Sequence, residues 1–489
     1  MVRKGAEEGD LSKKTQPHIL ESSSDQPIHS LAGLWKLNPM PETIIRNTRI
    51  LVDCELRSVD IAITDGKIEK IGKDISGDGR VIDARGKLTL PGAIDVHVHF
   101  RDPGLTHKED WYTGSCAAAA GGVTAVIDHP NTVPPTLDKR SFKLKLKSAE
   151  RKSIIDFGIN GGVTPSSDLQ ELWNLGVVAF GEIFMADGGL EVDEMDLEDL
   201  MKSISELGSI ACIHAENGKL CSHFTEELRR IRRPDVYSRA RPNICEAIAI
   251  EQVLEMQEKR RVQDDVQAQT HICHLSTREG VGVIRRMRYG RKEVSFTCEV
   301  APHHLFLQHG DWERLGTFGK MNPPLRKRCL QHLWNALNDS TIDIIASDHA
   351  PHTEEEKRAD IWDAPAGVPG VETMLPLMLR AAKQNLIPLW RVIEAMSAKP
   401  AQIFGLAGKG RIAEECDADL VIVDTRNIRT IKSETLHSKA GWTPFEGKEG
   451  IFPEVVLSRG EIVYDGEIVG RRGRGKAIYG KGYNQTPEV

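Results

Sequence analysis

Leu90-Pro91-Gly92-Ala93-Ile94-Asp95-Val96-His97-Val98-His99-Phe100-Arg101-Asp102-Pro103 is an apolar run that ends in two imidazoles two residues apart. On an extended chain the side chains at i and i+2 point the same way, so His97 and His99 share a face. Neutral imidazole is the commonest metal-binding side chain and a usual ligand of zinc. Alone, the pair also reads as two ordinary histidines on a polar strand face. The rest of the chain has to supply further ligands.

From residue 90 to about residue 404, short apolar runs alternate with longer helical patterns. Candidate strands fall at residues 125–127, 154–157, 177–180, 210–213, 270–274, 294–300 and 342–346. Apolar strands separated by helices imply parallel pairing, because parallel neighbours need a helical crossover. Roughly eight such units in about 300 residues suit a (β/α)8 TIM barrel. Ahead of them, residues 43–83 hold short β-rich runs divided by turn signals such as Asp65-Gly66. Similar runs return at residues 418–424, 455–457 and 461–464, with turns at Arg459-Gly460 and Asp465-Gly466. The expected fold is therefore α/β: a catalytic barrel over residues 92–404 and a small β-sandwich domain made from both chain ends, residues 42–91 plus 405–475. Residues 1–41 lack periodicity and are rich in Ser, Lys, Glu, Gln and Pro, so a mobile N-terminal arm is expected there, with only residues 31–37 apolar enough to dock. Residues 476–489 are expected to be a C-terminal tail. There is no internal repeat.

Composition narrows the functional classes. The chain has 489 residues, 40% hydrophobic and 28% charged, with net charge -7 and pI near 6.2. That balance argues against general nucleic-acid binding, which needs a basic surface. The nine cysteines are scattered, odd in number and never spaced Cys-x-x-Cys, as befits free thiols in a reducing compartment. No run of about eighteen apolar residues suggests a membrane span, and the polar N-terminus lacks the apolar core of a signal peptide. A cytoplasmic protein without a membrane partner is expected.

In a barrel, polar residues at the C-terminal ends of the strands line the active site. Here His97 and His99 follow the run at 90–94, Glu182 follows 177–180, His214 follows 210–213, His274 ends 270–273, and Asp348 follows 342–346. Taken singly, His214 or His274 could be a core histidine bonded to backbone, and Glu182 or Asp348 a helix cap. Taken jointly, four imidazoles and two carboxylates at five strand ends point to a metal centre.

These segments carry a resemblance. Residues 43 to about 470 resemble the amidohydrolase superfamily and, within it, the dihydroorotases. Asp95 to Pro103 is similar to one dihydroorotase signature, and Ala346-Ser347-Asp348-His349-Ala350-Pro351-His352-Thr353-Glu354-Glu355-Glu356-Lys357 is similar to the second along its whole length. Pro130-Asn131-Thr132, Met321-Asn322-Pro323-Pro324-Leu325-Arg326 and Gly367-Val368-Pro369-Gly370-Val371-Glu372-Thr373 are further matches, each a segment that contacts substrate in that family. Allantoinases and hydantoinases share the metal shell but usually lack the Asp-x-Ala-Pro-His ending and the Arg after His-x-His.

The resemblance implies that His97, His99 and Asp348 hold the more buried zinc ion, and that His214 and His274 hold a second. It places Glu182 where many relatives carry a carboxylated lysine bridging two metals. A glutamate can bridge without carbon dioxide, yet it is shorter, so one Zn2+ or two are both compatible. Asp348 is the implied catalytic base and then acid. Arg101, whose planar fork suits a carboxylate, would bind the substrate with Asn131, Asn322, His352 and the backbone near Ala366-Gly367. His129, where the family more often shows methionine, reads as a neutral change at the pocket edge. Three features are discounted. Pro302-His303-His304 reads as structural, because adjacent strand residues face opposite ways; Arg471 to Lys476 reads as a solvated basic end; Glu354 to Lys357 reads as a flexible charged loop over the site. The implied activity is the reversible cyclisation of N-carbamoyl-L-aspartate to L-dihydroorotate plus water. Allantoinase or hydantoinase activity is the alternative, as is a non-catalytic partner of aspartate carbamoyltransferase. The expected partners are a small-molecule substrate, a second copy in a homodimer and aspartate carbamoyltransferase.

Overall fold

The computed structural model describes residues 41–186, 190–264, 269–290 and 295–484. Of the expected N-terminal arm, all but Pro41 lies outside them. The chain opens with β1 (Thr43–Val52), β2 (Glu55–Thr64), β3 (Lys67–Gly72), β4 (Arg80–Asp83) and β5 (Leu88–Pro91). Asp65 and Gly66 turn β2 into β3 with φ of 51° and 74°, the two positive values that a tight hairpin turn needs.

Eight strands with apolar bodies follow: β6 (Ala93–Val98), β7 (Val123–Asp128), β8 (Asp156–Ile159), β9 (Phe180–Phe184), β10 (Ile210–His214), β11 (Gln269–Ile272), β12 (Phe296–Val300) and β13 (Ile344–Ile345). β6 to β8 make one sheet and β9 to β13 another, and every pair within them is parallel. Single parallel bridges, Gly161 to Phe180 and Val98 to His349, join the margins of the two sheets. Asp95 strengthens the second junction by accepting a bond from the Ser347 N–H at 2.9 Å. Helices occupy the crossovers, as the apolar, uninterrupted strands require. The first, Trp111–Ala120, is capped by Asp110 in a reciprocal box with Thr113, and its run of four alanines is fully buried. Lys145, from the helix Lys139–Lys152, is buried and pairs with Asp128 at 2.5 Å, pinning that helix to the end of β7.

Beyond the parallel strands come β14 (Leu420–Val423), the small pair β15 (Arg429–Thr430) and β16 (Glu449–Gly450), β17 (Val455–Ser458) and β18 (Glu461–Asp465). Both chain ends do share one mixed sheet, in the order β18-β17-β14-β5-β1-β2-β3, with β4 beside β1. β14 pairs edge to edge with β5, and apolar side chains of β1 to β3 pack with those of β14 and β17 in one core, Ile45, Ile61, Ile63 and Ile68 with Leu420, Ile422 and Leu457. Nor does the basic end run free. The Arg474 guanidinium is nearly buried and donates to the Ile154 and Ser458 carbonyls, and the Phe157 and Ile478 N–H groups bond to Lys476 O and Phe157 O along the edge of β8. All nine cysteines are free thiols. No helix among the described residues is long and apolar enough to cross a membrane.

One buried ammonium ties this sheet to the parallel strands. Lys409 Nζ lies 2.7 Å from Asp156 at the start of β8 and 2.8 Å from each of Asp417 and Asp419, which lead into β14. Removing one member of a buried charge cluster leaves the others uncompensated. Lys409→Met should therefore lower the unfolding free energy by about 3–5 kcal/mol in denaturant titration, and a change within experimental error would contradict this role.

Candidate active site

Glu182 is the centre of a buried cluster. It lies inside β9, not beyond it, because the strand begins at Phe180 and runs to Phe184. Gly181 makes this possible: its φ is 122°, and a Cβ there would stand 2.2 Å from the Cys212 carbonyl. Only glycine lets β9 lie so close to β10. Glu182 Oε2 is then 3.4 Å from His97 Nε2 and 3.7 Å from His99 Nε2. Its Oε1 is 3.1 Å from His214 Nδ1 and 2.7 Å from His274 Nε2. Each carboxylate oxygen thus faces its own pair of imidazoles, and each set of three donors is compact enough for one ion. Asp348 adds Oδ1 at 3.6 Å from His97 Nε2 and 3.3 Å from His99 Nε2. All six sequence-predicted ligand residues come together.

Groups behind the imidazoles decide which nitrogen each presents. His97 Nδ1 donates to Glu299 Oε1 at 2.5 Å, and His99 Nδ1 donates to Asn131 Oδ1 at 2.7 Å, so both offer Nε2 inward. His214 is turned the other way: its Nε2 meets Glu216 Oε2 at 3.1 Å, leaving Nδ1 for the cluster. Glu216 is clamped by Arg241 at 2.6 Å and Arg326 at 3.4 Å. Burial works against charge on His97, but Glu299 and Glu182 outweigh it and hold its pKa well above the ordinary value. For His214 burial is likewise outweighed, here by hydrogen bonds to Glu182 and Glu216, and its pKa rises to about 9. His99 goes the other way, burial and the Arg101 charge holding its pKa below the ordinary value. His97 Nε2 is buried without a hydrogen bond, and the donor set, imidazole nitrogen with carboxylate oxygen, is one that zinc-type ions take. The residues fit such an ion.

Above the cluster lies a cavity of about 290 Å³ whose wall includes His99, Glu182, His214 and Asp348. Arg101, Asn131, Asn322, His352, Ala366 and Gly367 also line it, so every predicted substrate contact borders the same space. Arg101 is buried and has no carboxylate within ion-pair distance among the described residues; its guanidinium stands 3.4 Å from His352 Nε2. Asn131 and Asn322 have their oxygens engaged, by His99 and by the Tyr237 hydroxyl at 2.7 Å, which leaves their NH2 groups as donors. Burial, then the Arg101 and Lys108 charges, push the His352 pKa well below normal and keep the ring neutral. Lys108 Nζ donates to its Nδ1 at 3.1 Å, so Nε2 carries the proton and donates to Ala366 O at 3.0 Å. A larger groove of about 880 Å³ beside β2 and β3 holds none of these residues.

Several sequence readings change. His129 is not at a pocket edge but buried, with its ring centroid 4.1 Å from that of His97 and 5.3 Å from that of His99. His303 and His304 sit on a helical turn, Pro302–Phe306, so strand alternation does not apply; His303 Nε2 stands 3.9 Å behind Asp348 Oδ2. Glu354–Lys357 is a capped helical turn with Lys357 buried. Glu299, Glu216, Arg241 and Tyr237 were missed. Glu299 left one signal, an acid near the end of an apolar run.

The sequence matches the Amidohydrolase family over residues 88–463. It is 54% identical to a dihydroorotase of Methanosarcina mazei over 456 residues, 91% of this chain and 99% of that one. The chain belongs to the amidohydrolase family. An allantoinase of Salmonella newport is 34% identical over 442 residues, 87% of this chain and 95% of that one. Among solved structures, the L-hydantoinase of Arthrobacter aurescens superposes with a TM-score of 0.85 at 29% identity, covering 90% of this chain and all of that one. Amidohydrolases are generally metal-dependent, in keeping with the donor sets around Glu182. Losing a carboxylate that orients a ligating histidine typically costs about 10–100-fold in metal affinity. Glu299→Gln should show a loss of that size when divalent-ion retention is titrated against a chelator. Wild-type retention would show that Glu299 does not set His97.

Proposed function

We propose that the Glu182 cluster binds two zinc ions and that the adjoining cavity takes its substrate by a carboxylate. The chain is a dihydroorotase, a cyclic amide hydrolase that interconverts N-carbamoyl-L-aspartate and L-dihydroorotate plus water in de novo pyrimidine synthesis. The fold reading that accompanies this is a closed (β/α)8 barrel over residues 92–404 beside a small β domain from residues 42–91 and 405–475. The two single bridges at the sheet margins support closure.

In this reading His97, His99, Glu182 and Asp348 would hold one ion, and His214, His274 and Glu182 the other. When bound, such an ion would supply a water of lowered pKa, toward about 7, and a polarised amide carbonyl. The chain's own groups do the rest. Burial raises the pKa of Asp348, but the His99 hydrogen bond and the charges of His97 and His274 outweigh it, so the carboxyl starts ionised. Asp348 can then accept a proton from water as its oxygen attacks the ring carbonyl carbon. As the carbon–nitrogen bond breaks, the same proton passes to the leaving ring nitrogen. Ring closure runs through the same groups in reverse.

The observation that carries the substrate assignment is Arg101. An isolated buried charge is costly, and this guanidinium borders the cavity with no anion against it. The α-carboxylate of dihydroorotate supplies one, and the free NH2 groups of Asn131 and Asn322 supply further donors. Hydantoin and allantoin lack that carboxylate. The fold similarity to a hydantoinase keeps those substrates as the second reading.

Turnover of dihydroorotate, allantoin and hydantoin by the zinc-loaded protein tests the assignment. Only dihydroorotate should turn over well, and turnover of allantoin or hydantoin alone would overturn it. Arg101→Met should raise KM for dihydroorotate by about 100-fold, the scale of a lost charge-assisted pair, with a smaller effect on kcat. Asp348→Asn should lower kcat by at least about 100-fold, the scale of general acid–base catalysis; a near-normal rate would remove Asp348 from proton transfer.

A further inference from the structure

Lys357 is fully buried, and no carboxylate lies within ion-pair distance of it among the described residues. Its Nζ donates to three backbone carbonyls: Lys320 O at 2.8 Å, Pro365 O at 3.0 Å and Gly367 O at 3.1 Å. Burial, then the Lys320 charge, pull its pKa well below the ordinary value, but an ammonium has three N–H donors and here each has one acceptor, a geometry that a two-donor neutral amine cannot satisfy. Those carbonyls belong to two stretches of the cavity wall. Lys320 is two residues from Asn322, and Pro365 and Gly367 flank Ala366. The stretches are also linked directly, Gly367 N to Lys320 O at 3.0 Å.

A third part of the wall is tied to the same ammonium. Lys357 Nζ lies 5.5 Å from the centroid of the Trp442 ring, close enough for a cation–π attraction. Trp442 Nε1 donates to the His352 carbonyl at 2.8 Å, and the His352 ring in turn bonds to Ala366 O. Gly367 adds a reason for such bracing. Its φ is 136°, and a Cβ there would stand 2.4 Å from Ala350 O, so this wall segment adopts a conformation that its own sequence holds only weakly. Closing two loops against each other could be done more cheaply by apolar side chains than by a buried cation. What the cation adds is direction: three carbonyls converging on one nitrogen are held at a fixed spacing.

We propose that Lys357 is a positioning residue for substrate binding, its ammonium holding the Asn322, Ala366-Gly367 and His352 parts of the cavity wall in register with Arg101. It touches neither substrate nor ligand and acts through the wall. The inference rests on the reading of that wall as the substrate-carboxylate site.

The test is Lys357→Met, which keeps the length and removes the donors, assayed as zinc-loaded protein beside Arg101→Met. Lys357→Met is expected to fold, to bind zinc as the wild type does, and to raise KM for dihydroorotate about 10-fold with kcat within about threefold. Lys357→Gln, which keeps two N–H donors, should recover part of the loss. An unchanged KM in folded Lys357→Met, or a fall in kcat at unchanged KM, would overturn the proposal. So would failure of both variants to fold, which would make Lys357 a folding determinant. If Arg101→Met itself leaves KM unchanged, the carboxylate-site reading fails; if only Lys357→Met does, the reading stands and this inference fails.

Discussion

The carboxylate of Glu182, buried among four imidazoles, is the constraint on which the rest of the site depends. Taking a carboxylate out of water costs several kcal/mol unless opposite charge and hydrogen bonds replace the solvent. Here the replacement comes from His97 and His99 at the end of β6, His214 at the end of β10 and His274 just past β11, so one side chain dictates how closely three strand ends approach the strand that carries it. Burial raises its pKa, but His97, His214 and His274 outweigh burial and hold it well below the ordinary value. The two oxygens serve different histidine pairs, Oε2 facing His97 and His99 and Oε1 facing His214 and His274.

A second layer gives the first its direction. Glu299, Asn131 and Glu216 each occupy one imidazole nitrogen and so choose which nitrogen faces Glu182. The layer is itself anchored: Glu299 also accepts from His271 at 3.2 Å and from the His274 N–H at 3.2 Å, and Glu216 is held between two arginines. The cavity follows the same plan one step further out, with Tyr237 orienting Asn322 and Lys357 bracing the backbone around Ala366. At every level a residue touching the reaction space is aimed by one that does not.

That division explains how much was legible in the sequence. The residues facing the reaction space sit at strand ends, and strand ends follow from local apolar runs, so His97, His99, Glu182, His214, His274 and Asp348 could be found without a structure. The second layer is defined only by contacts distant in sequence. His97 and Glu299 are 202 residues apart, and nothing local marks Glu299 as more than a polar break in a strand. Local reasoning also misjudged two residues. Arg474 looked solvated because its neighbours are polar, yet it fills carbonyls at the edge of β8. His129 looked peripheral because it follows a strand, yet it packs on His97.

The central claim is that one glutamate serves two ion sites. Elemental analysis of the purified protein, expressed with ample zinc and freed of loosely held metal, measures this most directly. The account predicts two zinc ions per chain, bound with ligands that include the four histidines around Glu182. A stoichiometry that stays at one per chain, with activity intact, would contradict it.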